Sequence, residues 1–308
     1  MKCSQPTPFT IVVGSTGFLG RNLVKELKER NQQYLTLNRS SGFTSASEWL
    51  DFTRTNDLTS AHCVFLAAGG VGGKPSRDDY EFNRAGVVEL LKDLNISGVT
   101  QFTIAGTCFE YGKAGENNDL ITTSTKPLPT DPYGESKHLG FEAITRWREK
   151  VECSVRYLRL FQVTGDYESL DRVIPSAFRA ALGGSDFIVR SGSNVRDFIG
   201  VSQVVKLILD EISPVQSLEL RNVCSGVGIS VGEIVRQIWR QTEALGELTV
   251  LSHFDPVGYL RLVGDPLTES GGIYVPSFDL RTHPQWTKSI GTPSCNAKKS
   301  QEAVQRPC

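Results

Sequence analysis

The chain has no apolar run approaching the roughly 20 residues that cross a bilayer, so a membrane span is not expected. Its first residues, Met1-Lys-Cys-Ser-Gln-Pro6, lack an apolar secretory core, and export by a leader is not expected either. Net charge is nearly absent at −1, which leaves no bulk attraction to nucleic acid or to anionic lipid. Histidine is scarce: the four residues at 62, 138, 253 and 283 show no ligand spacing, and no metal site is expected. The seven cysteines, at 3, 63, 108, 153, 224, 295 and 308, include no Cys-x-x-Cys and are odd in number. That argues against a disulfide framework and fits free thiols in a reducing cytoplasm. Internal repeats and low-complexity tracts are also missing. What is present is an ordinary globular composition, 39% hydrophobic and 22% charged, over 308 residues, enough for one large or two modest domains with a real core.

Strands and helices alternate through the first half. The apolar run Phe9–Val13 is followed by a glycine turn and by an amphipathic stretch, Phe18–Arg30. Further strands are expected at Tyr34–Leu37, Cys63–Ala68, Gln101–Ala105 and Val155–Leu160. Helices are expected at about Tyr80–Leu94 and from Tyr133 to about Lys150, with Gly106–Pro132 as a loop. Such alternation predicts an α/β fold with a doubly wound parallel sheet, whose ligands lie beyond the carboxyl ends of the strands. Beyond residue 161 the pattern is less regular, and Gly165–Asp197 mixes glycine, proline and charge. Ser230–Ala244 reads as a helix capped by Ser230, and 288–308 is polar and aperiodic.

Two motifs carry chemistry. The turn Gly14-Ser-Thr-Gly17-Phe-Leu-Gly20 sits between a strand and a helix, where glycine lets the backbone approach a phosphate and lets helix pack on strand. Free N–H groups at the helix start then bind a pyrophosphate. The candidate contacts are Gly14, Thr16, Gly17, Phe18, Leu19 and Gly20. In the second motif, Pro132-Tyr-Gly-Glu-Ser-Lys137, a proline suited to opening a helix precedes Tyr133 and Lys137. Four residues apart on a helix, the two side chains share a face. An ammonium beside a phenol is expected to pull its pKa down from about 10 and prepare it for proton transfer during hydride chemistry.

With these motifs in place, the chain resembles the extended short-chain dehydrogenase/reductase family, also called the NAD-dependent epimerase/dehydratase family, over about residues 9–285. Gly14-x-x-Gly17-x-x-Gly20 is similar to its cofactor turn, Asp51-Phe52 to its adenine-contacting pair, and Leu66-Ala67-Ala68 to its fourth-strand ending. Asn83 in Phe82-Asn-Arg-Ala-Gly86 is similar to its helix asparagine, and Thr107 in Gly-Thr-Cys-Phe-Glu-Tyr-Gly112 to its catalytic Ser/Thr. Tyr133-x-x-x-Lys137 resembles its catalytic pair. Arg196-Asp-Phe-Ile resembles the segment where an arginine meets a substrate diphosphate, and Arg261-x-x-Gly-Asp265 a second phosphate-contacting region.

The resemblance implies a Rossmann domain over 1–161 plus roughly 196–226, and a smaller C-terminal α/β substrate domain over 162–195 and 227–290, with 291–308 a disordered tail. It implies nucleotide-diphosphate sugars as substrates, contacts from Thr107, Cys108, Phe109, Gln162, Arg196 and Arg261, and a homodimer built on the helices carrying Asn83 and Tyr133. The catalytic set would be Thr107, Tyr133 and Lys137.

The end of the second strand bears on the cofactor. An NAD site generally places an acid there, whereas this chain offers Asn38, Arg39 and Ser40. A guanidinium can hold a 2′-phosphate that a carboxylate would repel, so NADP(H) is favoured over NAD(H). Family dehydratases carry an acid one or two positions after the Thr107 equivalent. Here these are Cys108 and Phe109, and Glu110 in an extended segment would point away from Phe109. The expected activity is thus an NADPH-dependent reductase of a nucleotide-diphosphate 4-keto-6-deoxy sugar. An NAD-dependent epimerase and a non-enzymatic cofactor sensor on the same fold stand as alternatives.

Overall fold

The protein, seen in a computed structural model, is described over residues 9–37, 58, 61–65, 77–117, 119–210, 215–252, 259–266 and 273–274. In chain order the first elements are β1 (Thr10–Val13), α1 (Phe18–Glu29), β2 (Tyr34–Leu37), β3 (His62–Phe65), α2 (Arg77–Glu81) and α3 (Val87–Ile96). Then come β4 (Gln101–Thr107), α4 (Lys113–Glu116), α5 (Pro132–Arg148), β5 (Ser154–Leu160), β6 (Gln162–Thr164), α6 (Val173–Leu182) and β7 (Phe187–Val189). The remainder are β8 (Val195–Gly200), α7 (Val201–Asp210), β9 (Leu218–Cys224), β10 (Gly228–Ser230), α8 (Val231–Thr242), β11 (Leu248–Val250), β12 (Arg261–Leu262) and β13 (Ile273–Tyr274).

Seven parallel strands form the main sheet in the order β13-β9-β5-β4-β3-β1-β2. Successive residues of its strands point to opposite faces, and both faces are apolar. Ile11, Val13, Phe102 and Ile104 pack under Leu91 and Leu94 of α3 and Ile144 and Trp147 of α5. Val12, Val64, Ala105 and Leu158 pack under Leu23 and Leu27 of α1 and Val204 and Ile208 of α7. Helices therefore cover both faces, as the alternation predicts. The chain order reverses between β1 and β3, and such a switch opens a crevice at the carboxyl ends, where the glycine turn leaves β1.

The second part of the chain builds two small sheets. Strands β10-β8-β12 pair, with β6 on β8, and β11 pairs with β7. A separate core of α6 and α8, with Ile174, Phe178, Ile234 and Ile238, supports them. Strand β8, inside the return segment expected for the dinucleotide-binding unit, pairs in a small sheet, while β13, expected in the substrate unit, pairs in the main one.

Capping chemistry accounts for the helix ends. Asp131 caps α5 by accepting from the Gly134 N–H at 2.8 Å, and Pro132 takes the first position, where no N–H is needed. Ser230 caps α8 by accepting from the Glu233 N–H at 3.1 Å, as expected. The helix expected at 80–94 differs: α2 and α3 are joined by a π-helical turn, Phe82–Gly86. Helix α6 also lies where the sequence reads as irregular.

A buried histidine gives this fold a pH dependence. His62 is 3% exposed on β3, with Nε2 2.8 Å from the Thr103 hydroxyl. Burial, and then the Arg156 charge, push its pKa down to about 4 from an ordinary 6.5. The unfolded chain binds this proton more readily than the folded one, so its contribution to stability is intact above pH 6.5 and lost as pH falls toward 4. Urea unfolding of wild type and His62→Gln at pH 7 and pH 4.5 should show wild type losing about 2–3 kcal/mol more than the variant. Equal losses would contradict this assignment.

Candidate active site

The glycine turn has the geometry a phosphate cradle needs. Gly14 adopts φ +83°, in the left-handed region. A Cβ on Gly20 would lie 2.2 Å from the Gly14 carbonyl oxygen, so only glycine allows this helix to sit so close to the turn. Gly17 caps α1 without any side-chain hydrogen bond, and the first turn carries no acid. Thr16, Gly17, Phe18 and Leu19 thus present a helix start with donors and positive dipole toward the crevice, which fits a dinucleotide pyrophosphate. Asn38, Arg39, Ser40, Asp51, Phe52, Leu66, Ala67 and Ala68 lie outside the described residues.

At the carboxyl end of β4, Thr107 caps a 3-10 turn, Cys108–Glu110. Its Oγ1 accepts from the Phe109 N–H at 3.3 Å, and its side chain lies near enough to the Tyr133 phenol to lower its pKa. Helix α5 can approach this turn because position 134 is glycine: a Cβ there would lie 2.5 Å from the Phe109 carbonyl. The Phe109 ring meets Tyr133 edge-on, with centroids 6.3 Å apart. Thr107, Phe109 and Tyr133 are thereby gathered at one point.

Lys137 shares that helix, but its charge is applied elsewhere than the spacing predicts. Its Nζ donates to the Ala105 carbonyl at 3.1 Å, and burial pushes its pKa down to about 8 against the pull of Glu110. The Tyr133 phenol is raised above its ordinary value, a correction to the expected lowering. Burial is the largest cause and the Glu110 carboxylate the next, and the Thr107 hydroxyl and the Arg172 guanidinium only partly offset them. The phenol is therefore a fully protonated donor at neutral pH.

Glu110 also departs from expectation. The segment is a 3-10 turn rather than extended, and the carboxylate points inward, 0% exposed. Its oxygens accept from the Thr107 N–H at 2.9 Å, the Tyr157 hydroxyl at 3.0 Å and Arg159 Nε at 2.9 Å. Arg159, itself 1% exposed, is held above the ordinary guanidinium value: burial lowers it, and Glu110, Tyr111 and Tyr157 together more than offset this. An acid so engaged braces the Thr107 turn and faces inward.

The other expected site residues divide. Asn83, in the π-helical turn, donates to the Ser136 hydroxyl at 3.1 Å, and Ser136 donates to the Tyr133 carbonyl at 2.8 Å, so Asn83 supports the start of α5. A Cβ on Gly140 would lie 2.2 Å from the Asn83 carbonyl, which explains glycine at that crossing. The Cys108 thiol is enclosed with Tyr111, Phe161 and Leu262 rather than open to a ligand, and burial pushes its pKa up to about 12. Arg196 is 8% exposed, donating to the Val195 carbonyl at 2.8 Å, with its charge felt at Cys108. Arg261 pairs in register with Val195 and Leu262 with Arg196, so the two arginines project to opposite faces of the small sheet. Arg261 instead donates to the Asp119 carbonyl at 2.8 Å.

Gln162 leads to a residue the sequence reading missed. Its Oε1 accepts from Arg172 Nη2 at 3.1 Å, and Arg172 also pairs with Glu168 at 3.2 Å. Arg172 is the cation whose charge lowers the Tyr133 pKa. The Glu168–Arg172 spacing of four, just ahead of Val173–Leu182, was the available signal.

Among the described residues no group of three or more His, Cys, Asp or Glu side chains could hold a metal, and no helix is long and apolar enough to cross a membrane.

The doubly wound parallel sheet, the glycine turn at its switch point and the Thr107–Tyr133 cluster define a Rossmann-fold, dinucleotide-binding protein. A model of the NAD dependent epimerase/dehydratase family matches residues 10–215, and the chain belongs to that family. It is 27% identical over 278 residues to GDP-6-deoxy-D-talose 4-dehydrogenase of Aggregatibacter actinomycetemcomitans, covering 83% of this chain and 88% of the relative. It is 26% identical over 273 residues to UDP-glucose 4-epimerase of Erwinia amylovora, covering 73% and 80%. The fold is shared with the Bordetella bronchiseptica enzyme WbmG, solved with NAD and UDP, at a TM-score of 0.75 and 20% identity over 92% of this chain and 95% of that one.

Proposed function

We propose that the protein is a nicotinamide-dependent oxidoreductase that reduces the ketone of a nucleotide-diphosphate 4-keto-6-deoxy sugar, with NADPH preferred and Tyr133 as proton donor. The observation that carries this reading is the Thr107 side chain placed beside a Tyr133 phenol that stays protonated at neutral pH. A ketone oxygen seated between them would accept from both. The nicotinamide, when bound, supplies the hydride to the carbonyl carbon. As negative charge grows on the ketone oxygen, Thr107 stabilises it and Tyr133 transfers its proton there. Lys137, buried under the same helix, would hold the nicotinamide ribose hydroxyls, and the glycine turn the pyrophosphate. The larger sheet carries the cofactor in this reading, and the small sheets, through Gln162 and Arg196, the substrate.

Related 4-dehydrogenases of two 6-deoxy-talose nucleotides support the sugar class. The sequence Asn38-Arg39-Ser40 supports NADPH, and the engagement of Glu110 by three donors argues against dehydratase chemistry. The UDP-glucose 4-epimerase relatives favour a second reading, oxidation and re-reduction around tightly held NAD. Denaturing the purified protein and identifying the released nucleotide separates the two. The reductase reading expects an empty site that binds NADPH at least about tenfold more tightly than NADH, the discrimination expected of one arginine on a phosphate. Stoichiometric NAD in the released fraction would favour the epimerase. Buried free thiols at Cys63, Cys108, Cys153 and Cys224 support a cytoplasmic setting, and the helices carrying Asn83 and Tyr133 are the proposed homodimer face.

The titration of Lys137 has a measurable consequence. Its charged form holds the ribose hydroxyls, so cofactor affinity should fall as pH rises through about 8, the value to which burial pushes it. Titration calorimetry of wild type and Lys137→Met from pH 6.5 to 9.5 checks this. The variant should bind weakly and without that inflection, and an inflection that survives in it would reject the assignment.

A further inference from the structure

The start of α5 is held from a distant part of the chain. Tyr259, 2% exposed, stands two residues ahead of β12 and reaches the residues that open α5. Its hydroxyl donates to the Asp131 carboxylate at 2.6 Å. The same oxygen accepts from the Thr130 N–H at 2.9 Å and from the Asp131 N–H at 3.2 Å. Both N–H groups precede the helix and have no partner within it, so the phenol supplies their acceptor. Asp131 thereby works on two sides: one carboxylate oxygen takes the Tyr259 hydroxyl, and the other caps the Gly134 N–H at 2.8 Å. The Tyr259 ring centroid lies 5.7 Å from that of Phe109, and Phe109 meets Tyr133 edge-on at 6.3 Å. Hydroxyl and ring thus reach the turn that carries Tyr133 by two routes.

The segment around Tyr259 is itself fixed on both sides. The Leu260 N–H donates to the Glu116 carboxylate, and Arg261 to the Asp119 carbonyl at 2.8 Å. Ile121 makes backbone hydrogen bonds to Val263 and Asp265 at 2.8 and 2.9 Å. On the other side, β12 pairs with β8, the strand that carries Arg196. The segment therefore spans from the small sheets to the first turn of α5. We propose that Tyr259 is a positioning residue for the proton transfer: acting through Asp131 and Phe109, it sets the first turn of α5, and with it Tyr133, relative to the small sheets. This rests on the reading of Tyr133 as proton donor and deepens it. Tyr133 is the second residue of that helix, so any shift of the turn moves its phenol. A displacement of about 1 Å at a reacting group can cost about a hundredfold in rate.

Tyr259→Phe in the full chain tests this, since it keeps the ring on Phe109 and removes the hydroxyl. In single turnover of a nucleotide-diphosphate 4-keto-6-deoxy sugar with saturating NADPH, the variant should be about thirtyfold slower. The sugar concentration for half-maximal rate and the NADPH affinity should stay within about twofold of wild type. In a Tyr133→Phe background the same substitution should slow the reaction less than about twofold, because the donor it places is gone. A purely structural role would slow both backgrounds alike, and that result would overturn the proposal. Amide hydrogen exchange reads the placing without any substrate. Gly134 and Glu135 should exchange at least about tenfold faster in Tyr259→Phe, while Ile144 and Trp147, later in α5, stay unchanged as the sign of an intact fold. Unchanged exchange at the first turn, or a wild-type rate in the variant, would also overturn it. Wild type that transfers no hydride to the sugar would reject the proposed reaction, and exchange at Gly134 and Glu135 would then decide the placing alone.

Discussion

Replacing Tyr133 by Phe is expected to lower the single-turnover rate of ketone reduction about a thousandfold, the usual worth of a positioned general acid. Cofactor affinity should be nearly unchanged, because the substitution removes one oxygen and leaves the ring edge-on to Phe109. The argument rests on placement. Tyr133 follows Pro132 in the first turn of α5, where the Asp131 cap and the glycine at 134 fix the helix start against the Thr107 turn. A phenol raised above its ordinary value holds its proton through the neutral range, which suits donation to a developing alkoxide and disfavours service as a resting base. Stopped-flow measurement of NADPH oxidation in wild type and variant checks it. A loss of less than about tenfold would remove Tyr133 from the proton-transfer step.

The second large effect is on stability. Glu110→Gln should cost about 3–5 kcal/mol of unfolding free energy, because the Arg159 charge then stays buried without its carboxylate. The Gln keeps the shape of the acid but accepts on one atom where the acid accepts on two, so the Tyr157 hydroxyl, Arg159 Nε and the Thr107 N–H cannot all be served. The double variant Glu110→Leu/Arg159→Met, which removes both charges, should recover most of the loss. Urea denaturation of wild type, single and double variants gives all three values. A single variant as stable as wild type would show that the pair is not needed to hold the turn. A double variant no more stable than the single one would place the cost in packing rather than charge.

The parts of this fold that sequence reveals are those whose physics is local. The run Phe9–Val13, the glycines at 14, 17 and 20, and Pro132 ahead of Tyr133 each specify their own element, and each lies where expected. Ser230 as a helix cap is equally local. Helix α6 was hidden because Pro175 and the pair Gly183-Gly184 read as breakers. The proline sits in the first turn, where it removes no helical hydrogen bond, and Ile174, Phe178 and Ala181 supply the buried stripe. The π-helical turn at Phe82–Gly86 leaves no trace in the apolar pattern, since it is set by the packing of Asn83 against Gly140.

Charges were the least legible part of the site. Placing Tyr133 and Lys137 on one face says nothing of where the ammonium turns, and the Ala105 carbonyl takes it. The inward swing of Glu110 depends on Tyr157 and Arg159, about fifty positions on in the chain, as β5 pairs beside β4. Arg172 reaches the site only because α6 follows β6 back to the crevice, bonding Gln162 on the way.

The central claim is a net transfer of hydride to a sugar ketone, with the cofactor leaving oxidised. NADPH carrying deuterium at the reactive C4 position, incubated with nucleotide-diphosphate 4-keto-6-deoxy sugars, tests it most directly. Net reduction predicts one NADP⁺ formed per sugar and one deuterium retained on the product at the former ketone carbon. A sugar turned over with no cofactor consumed, and no deuterium delivered, would contradict it.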